Sequence, residues 1–263
     1  MRKAHRRQYT SRIIKASALL ADTKALLAAW DLNKSTAQNL EQIRQQNTLG
    51  KTSRMRLEDV LTIFRQRYLD DPDIVTMLVV LTQGHAPAQW IDPLLYFFSA
   101  QNDCTLHDFV TQVLYERKRA GYLDLPTLVV QNALRSWVAE AKTASPWNEE
   151  TIERVAQGIL ATLRDFGVLE GKVNKQISPI YLPLESFALI AFWLMMRVQS
   201  GMRVLHSDEW RLFFLEVPGV ERLFIEAHQE KLLTYYAAGS VVRLEFPVTT
   251  AKEYAHGLLE RTR

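Results

Sequence analysis

The sequence predicts a mainly α protein: a helical N-terminal bundle with a helix-turn-helix, followed by a winged-helix-like α-helical C-terminal part with at most a small β element. Leu, Ala, Glu, Gln and Arg recur at helical spacings, and the polar–apolar alternation typical of half-buried strands is scarce. Only ten Gly and nine Pro occur among 263 residues, which argues against collagen-like or disordered composition. With 48% hydrophobic residues, the chain is able to bury a large core.

Capping side chains mark the helix starts in the first hundred residues. Asp22 is predicted to cap the first helix, and Ser35 with Gln38 forms a capping box for the second. Ser53 caps the third, and Asp71 precedes a fourth helix that has Pro at its tolerated first position. The predicted helices of this part cover residues 22–30, 36–46, 54–69, 73–83 and 93–100.

The pattern changes around residues 99–105, so we predict domains over residues 1–100 and 101–263. Helices are expected in the second domain over 105–120, 126–141 and 149–166, with a closing helix from the capping pair Thr250 and Glu253. The helix over 149–166 has one apolar face, made of Ile152, Val155, Ile159, Leu160, Leu163 and Phe166, and Gly167 is placed to end it.

Two extended segments, 176–183 and 240–246, are predicted to pair as a small sheet. Two helices followed by a strand pair is the order of elements in a winged helix. Lys172 and Lys175 lie where its wing would be and are predicted to touch a DNA backbone. However, Glu149, Glu150 and Glu153 stand at the start of the preceding helix and would repel phosphates, so this module is also compatible with a structural or protein-binding role.

The basic side chains are concentrated in the first quarter of the chain. Residues 1–67 contain 14 Lys and Arg against 5 Asp and Glu, whereas the remaining residues contain 18 against 24. Arg outnumbers Lys by 21 to 11, and its planar guanidinium suits phosphate. This asymmetry favours a polyanionic partner, either nucleic acid or an anionic membrane; an ordinary solvated basic surface is the alternative.

The start of the third helix carries Lys51, Arg54 and Arg56. Cations are disfavoured near the positive end of a helix, whereas a bound phosphate would meet the helix dipole, backbone N–H groups and these cations together. With the helix over 36–46, this gives a helix-turn-helix at the most basic place in the chain. We therefore predict that these three residues contact DNA.

Two pairs of arginines flank the apolar face of the same helix. The face consists of Leu57, Val60, Leu61, Phe64 and Tyr68. Arg54 and Arg65 follow one edge and Arg56 and Arg67 the other, so Arg65 and Arg67 are also predicted to contact DNA. The alternative is that the arginine stems cover the edge of the core while their charged ends reach water, with Glu58 beside Arg54.

The N-terminal arm contributes four further predicted DNA contacts, namely Arg2, Lys3, Arg6 and Arg7. The arm lacks the continuous apolar stretch of a secretory signal, and the apolar run 187–196 is too short to span a bilayer. A single cysteine, Cys104, suits a reducing compartment. We therefore expect a cytoplasmic protein with a basic arm.

Motifs for catalysis and for metal binding are incomplete. The Gly50-Lys51-Thr52 stretch has Gln45 where a phosphate-binding loop needs glycine. The Asp165-Phe166-Gly167 stretch lacks the other parts of a kinase site, and no other cysteine is available to complete a zinc site with Cys104. The expectation is a protein that is not an enzyme and that needs no cofactor or metal.

Three stretches in this order, residues 9–31, 49–69 and 163–171, resemble the BrxA family of bacteriophage-exclusion (BREX) defence systems, and 238–246 fits the tail of that family. The resemblance implies a small, helical, non-enzymatic, cytoplasmic protein that binds double-stranded DNA. It also implies partners within the defence system, including a methyltransferase and an ATPase. It assigns no individual DNA-contacting residue.

The sequence thus favours a DNA-binding accessory protein of a phage-defence system. The main alternative is a protein-interaction scaffold whose basic face contacts an acidic partner subunit. A third possibility is a membrane-surface protein that uses its basic arm.

Overall fold

The computed structural model describes residues 8–239 and 241–261, which form two compact units. The first unit combines the chain up to Leu20 with Tyr96–Ile180, and the second combines Ala21–Leu95 with the chain from Tyr181 onward. Each unit takes residues from both predicted domains, 1–100 and 101–263, and that division stays a prediction.

Helices dominate both units, as the sequence predicts. The α-helices are α1 Leu20–Ala28, α2 Thr36–Gln46, α3 Arg54–Phe64, α4 Pro72–Gln83, α5 Ala88–Asn102, α6 Cys104–Asp108, α7 Tyr115–Arg119, α8 Thr127–Ala139, α9 Glu149–Asp165, α10 Leu184–Val198, α11 Gly201–Leu205, α12 Val217–Gln229 and α13 Ala251–Glu260. Short 3₁₀ helices cover Ser11–Lys15 and Asp208–Phe213, and π-helical turns cover Arg65–Leu69 and Phe109–Leu114. The strands are β1 Leu169–Glu170, β2 Gln176–Ile177, β3 Thr234–Ala238 and β4 Val241–Glu245.

The capping predictions hold at most helix starts, because a cap depends on neighbouring residues alone. Ser35 and Gln38 make the reciprocal capping box of α2, and the side chain of Asp71 accepts a hydrogen bond from the backbone of Asp73 at the start of α4. Asp22 was the wrong cap. Helix α1 already begins at Leu20, so Asp22 lies in its first turn.

The predicted helix over 105–120 is a continuous helical run whose middle is π-helical. Asp103 caps its start by accepting hydrogen bonds from the backbone of Thr105 and Leu106. The run then passes through α6, the π turn Phe109–Leu114 and α7.

The predicted pairing of the two extended segments was wrong. Residues 241–245 pair with 234–238 in one antiparallel hairpin, while 176–177 pair with 169–170 in another. In both hairpins the partner is close in sequence, which keeps the entropy cost of closing the loop small. Gly171 and Gly239 have the positive φ angles of +87° and +57° that glycine adopts without strain.

The core of the second unit is aromatic. The ring centres of Trp210 and Phe224 lie 6.3 Å apart, and each lies 4.8 Å from that of Phe187. All three side chains are almost fully buried. Phe187 belongs to the apolar run 187–196, which forms most of α10 and is buried from Phe187 to Leu194. This confirms the predicted buried core helix.

Within the described ranges, no helix combines the length and the apolar character needed to cross a membrane.

Candidate nucleic-acid interface

Helix α3 presents arginine at its start, as predicted. Ser53 caps the helix by accepting a hydrogen bond from the backbone N–H of Arg56, and no acidic side chain lies in the first turn. Arg54 and Arg56 are both exposed. The predicted apolar face is also confirmed, since all five of its members, Leu57, Val60, Leu61, Phe64 and Tyr68, are buried. The buried face fixes the orientation of the helix and leaves its first turn open to solvent.

Lys51 is held in the loop before α3 rather than left to solvent. Its Nζ lies 2.8 Å from Asp22 Oδ1, and its backbone N–H donates to Asn47 Oδ1 at 3.1 Å. Both charged side chains are largely covered. A phosphate at the start of α3 would therefore have to compete with Asp22 for this lysine.

Glu58 forms its ion pair with Arg44, while Arg54, the partner that the sequence suggested, attracts it more weakly. The Nε and Nη2 atoms of Arg44 donate to the two carboxylate oxygens of Glu58 at 2.7 and 3.1 Å. These hydrogen bonds lower the pKa of Glu58 below its ordinary value. Glu58 on α3 is thus engaged by a bidentate contact from α2.

The two arginines at the other end of this helix differ in exposure. Arg65 is exposed, whereas Arg67 is only 7% exposed and lies within the π turn Arg65–Leu69. A π turn holds more residues per turn than an α-helix, so extrapolating the α-helical wheel beyond Phe64 misplaced Arg67. The burial leaves Arg67 no surface on which a duplex could dock, and we correct its prediction as a DNA contact.

In the first unit, α8 and α9 are followed by the β1–β2 hairpin. Its strands are not the pair predicted for the winged-helix-like module, so that module stays a prediction. The segment 123–125 runs beside β2: the N–H of Ile177 donates to the carbonyl of Leu123 at 2.7 Å, and the N–H of Leu125 donates to the carbonyl of Lys175 at 2.8 Å. No pattern in the sequence marks this third extended segment, because it is only three residues long.

The turn of the β1–β2 hairpin carries the two predicted wing lysines. Lys172 is exposed, and Lys175 is half-buried with its Nζ donating to the carbonyl of Lys172 at 2.9 Å. Between them Val173 is 90% exposed. The structure therefore brings these two lysines together at a protruding turn.

Next to this sheet lies a cationic and aromatic pair that the sequence analysis missed. The guanidinium of Arg117 lies 4.9 Å from the ring centre of Tyr122 and donates to the carbonyl and carboxylate of Asp124. The available signal was the run Arg117-Lys118-Arg119 at the end of a predicted helix, followed closely by tyrosine.

The start of α9 is acidic, as predicted, but one of its acids is paired. Arg135 on α8 donates to both carboxylate oxygens of Glu149: Nη2 lies 2.8 Å from Oε2, and Nε lies 3.2 Å from Oε1. These hydrogen bonds lower the pKa of Glu149. Glu149 therefore forms an ion pair with Arg135 and competes with any other anion for it.

Replacing both Glu149 and Glu150 by Ala is expected to leave duplex binding unchanged or slightly stronger. The change removes two negative charges from the exposed start of α9 and frees Arg135. Affinity for one duplex at fixed salt concentration, measured by fluorescence anisotropy, tests this. A clear loss of affinity in a folded variant would mean that the acidic start of α9 takes part in binding.

The four arm residues, Arg2, Lys3, Arg6 and Arg7, lie outside the described residues. Cys104, considered above as a zinc ligand, and the nearby His107 make other contacts: the Cys104 thiol donates to the carbonyl of Gln8, and His107 Nδ1 lies 2.8 Å from Asp108 Oδ1. In the described part of the chain, no three His, Cys, Asp or Glu side chains form a group suited to a metal ion.

Comparison with known proteins agrees with this fold. The fold resembles the crystal structure of an uncharacterized protein from Magnetospirillum magneticum, with a TM-score of 0.60 and 15% sequence identity over 78% of this chain and 98% of that chain. At this identity the likeness concerns the fold alone. A search of curated proteins gave no match. The family model described as BrxA matches residues 7–192, which is more than half of the chain. The chain therefore belongs to the BrxA family, which is associated with bacteriophage-exclusion (BREX) phage-defence systems.

Proposed function

We propose that this protein is a non-enzymatic accessory component of a BREX-type defence system that binds double-stranded DNA in the cytoplasm. The observation that carries the proposal is the first turn of α3. It exposes Arg54 and Arg56 and contains no acidic side chain.

The positive charge at the start of α3 favours an anionic partner. The N-terminal end of a helix has unpaired N–H groups and a partial positive charge, to which two arginines add an unfavourable excess of positive charge. A DNA phosphate placed there would relieve this excess and accept hydrogen bonds from the same groups. Such contacts position a protein on the duplex and carry no sequence information, so we expect binding to unrelated sequences alike.

Lys51 has a conditional role in this proposal. Its ion pair with Asp22 must open, or be shared, before the lysine reaches a phosphate. Arg54 and Arg56 are accordingly the primary contacts, Arg65 extends the same exposed side, and Lys51 is secondary. Lys172 and Lys175 would provide a separate contact through the hairpin turn of the first unit.

Within the defence system, the proposed partners are duplex DNA and other system components such as the methyltransferase and the ATPase. This part rests on family membership and on the resemblance to BREX systems.

A mobility-shift experiment tests the proposal. Purified protein is titrated against duplex DNA, single-stranded DNA and RNA at two salt concentrations, and the duplex is expected to shift with an affinity that falls steeply as salt rises. Absence of any duplex shift at low salt would contradict the proposal.

A second candidate function, a protein-interaction scaffold, is favoured by exposed apolar side chains in the second unit. Ile225 on α12 is 43% exposed, and Tyr236 and Val241 on the β3–β4 hairpin are 59% and 65% exposed. The rings of Tyr236 and His228 contact each other, 5.8 Å apart, which joins the hairpin face to α12. Co-purification with another system component that is lost in a Tyr236→Ser and Val241→Ser variant, together with no duplex shift, would favour the scaffold.

Deleting residues 1–7 is expected to weaken duplex binding and flatten its salt dependence. The deletion removes the four cations of the arm but keeps Gln8, whose carbonyl accepts the hydrogen bond from Cys104. Binding is measured over a salt series for the deleted and the full chain. Equal affinity and equal slope would show that the arm has no part in binding.

A further inference from the structure

The described chain begins with a segment that is fixed along the first unit. We call Gln8–Ala18 the strap; it contains the 3₁₀ helix Ser11–Lys15. Tyr9 forms a parallel bridge with Thr143 in the turn between α8 and α9: its N–H donates to the carbonyl of Lys142 at 2.9 Å, and its own carbonyl accepts from Ala144 at 2.8 Å. The strap is thus attached to the turn that precedes α9.

The Tyr9 side chain fixes the strap a second time. Its ring lies 4.1 Å from that of Trp137, and its hydroxyl donates to Asp108 Oδ2 at 2.8 Å. Burial, together with this hydrogen bond, raises the pKa of Tyr9. Tyr9 is only 4% exposed, so it anchors the strap as a buried side chain of the first unit.

Beyond Tyr9 the strap lies directly against α9. A Cβ atom added to Gly158 would sit 2.9 Å from the carbonyl oxygen of Ile13, so glycine at this position permits the close approach. The strap and α9 enclose a groove of about 320 Å³. Its polar side chains are Ser17 from the strap and Arg154 and Gln157 from α9.

Both elements that form this groove carry cations, although of these only Arg154 lines it. Arg12 and Lys15 are three residues apart, which places them on one side of the 3₁₀ helix, and both are exposed. Arg154 is exposed on α9. Among the residues that the structure describes, no acidic group lies within ion-pair distance of Arg12 or of Arg154.

We propose that the surface formed by this groove and the neighbouring exposed side of the strap binds the phosphate backbone of DNA. Arg154 in the groove and Arg12 on the strap are its principal contacts, and Tyr9 is a positioning residue. This inference rests on the proposed duplex binding and adds a second contact to that of α3. Guanidinium groups suit phosphate oxygens, and Ser17 supplies a neutral hydrogen-bond donor of the kind found at sugar–phosphate contacts. The side chain of Gln157 donates to Glu153 at 3.2 Å, so it would have to exchange this partner to contact DNA.

The strap also explains how α9 could contact DNA although its first turn is acidic. Glu150 and Arg154 are one turn apart on the exposed side of α9, and Gln157 follows after a further turn. Glu150 and the exposed Glu153, which accepts a hydrogen bond from Gln157, would repel a phosphate in the first turns of the helix. Arg154 is the cation that α9 offers to a phosphate on this side. The strap adds Arg12 and Lys15 beside that part of the helix, so contact is expected with the middle of α9 and not with its first turn.

The test compares two double variants that lose the same charge. Arg12→Gln with Arg154→Gln is expected to weaken duplex binding and to lower the slope of log K against log salt by up to about 1.8, since each lost phosphate contact contributes about 0.9. The control is Arg203→Gln with Arg222→Gln, two arginines that are exposed in the second unit and belong to none of the DNA contacts proposed above. Its slope is expected to stay near that of the parent. Arg12→Lys with Arg154→Lys keeps both charges and is expected to retain the parent slope.

The outcomes separate this inference from the proposed function. If the parent binds duplex DNA and the groove variant has the same slope as the control, the groove is not a DNA contact while the proposed function stands. If the parent fails to bind any duplex at low salt, both are wrong. Circular dichroism confirms folding of each variant, and because both arginines are exposed we expect their replacement to leave the fold intact.

Discussion

Replacing Phe64 by Ala is expected to lower the free energy of unfolding by roughly 3–5 kcal/mol, the usual cost of removing a buried aromatic side chain. Phe64 is 1% exposed, and its ring lies 5.6 Å from those of both Trp30 and Tyr68. The substitution removes both ring contacts and leaves a cavity that the neighbouring backbone is poorly able to fill. Urea unfolding followed by circular dichroism measures the change.

Met55 on the same helix provides the matched control. It is 78% exposed, so Met55→Ala is expected to change the free energy of unfolding by no more than about 0.5 kcal/mol. If Phe64→Ala costs less than about 1 kcal/mol, the packing of α3 against Trp30 is not what holds this helix in place.

The sequence predicted well those features that depend on neighbouring residues. Ser35 and Ser53 cap their helices because a cap needs only the next three residues. The buried face of α3 follows from helical periodicity alone, and so does the apolar face of α9 from Ile152 to Leu163. Gly167 has a φ angle of +77° just after α9, as its place at the helix end predicts.

Features that depend on distant residues were missed. Lys51 and Asp22 are 29 residues apart, and Arg44 and Glu58 are 14 apart; nothing local distinguishes these charges from solvated ones. The local rule paired Glu58 with Arg54, four residues away on the same helix. Arg44, on another helix, forms two hydrogen bonds with Glu58. This bidentate contact is stronger than the attraction of the exposed Arg54 on the same helix.

The missed contacts change the interpretation of the candidate site as well as the fold. Lys51 was predicted to be as available as Arg54, yet it is engaged by Asp22. Arg12 and Arg154 lie 142 positions apart in sequence, so only the folded strap shows that their elements share a groove. A charge count identifies which part of the chain is basic, but the fold determines which cations remain accessible.

Neutralising the start of α3 is expected to weaken DNA binding strongly. Changing Arg54 and Arg56 to Gln removes two phosphate contacts and should lower the salt slope by up to about 1.8, with affinity falling alike for unrelated sequences. Adding Lys51→Gln should increase the loss by at most a further 0.9 or so, and by less if Lys51 stays with Asp22.

The free energy of unfolding distinguishes the double change at Arg54 and Arg56 from the added Lys51→Gln change. The double change relieves an unfavourable contact with the helix dipole, so the free energy of unfolding should hold or rise slightly. The added Lys51→Gln change leaves the largely covered Asp22 without the lysine 2.8 Å away, and a small loss of stability is expected from it alone. The Arg203→Gln and Arg222→Gln control removes the same charge as the double change. If the double variant is folded and its affinity and slope equal those of the control, the first turn of α3 does not face DNA, and its arginines serve to cover the edge of the core.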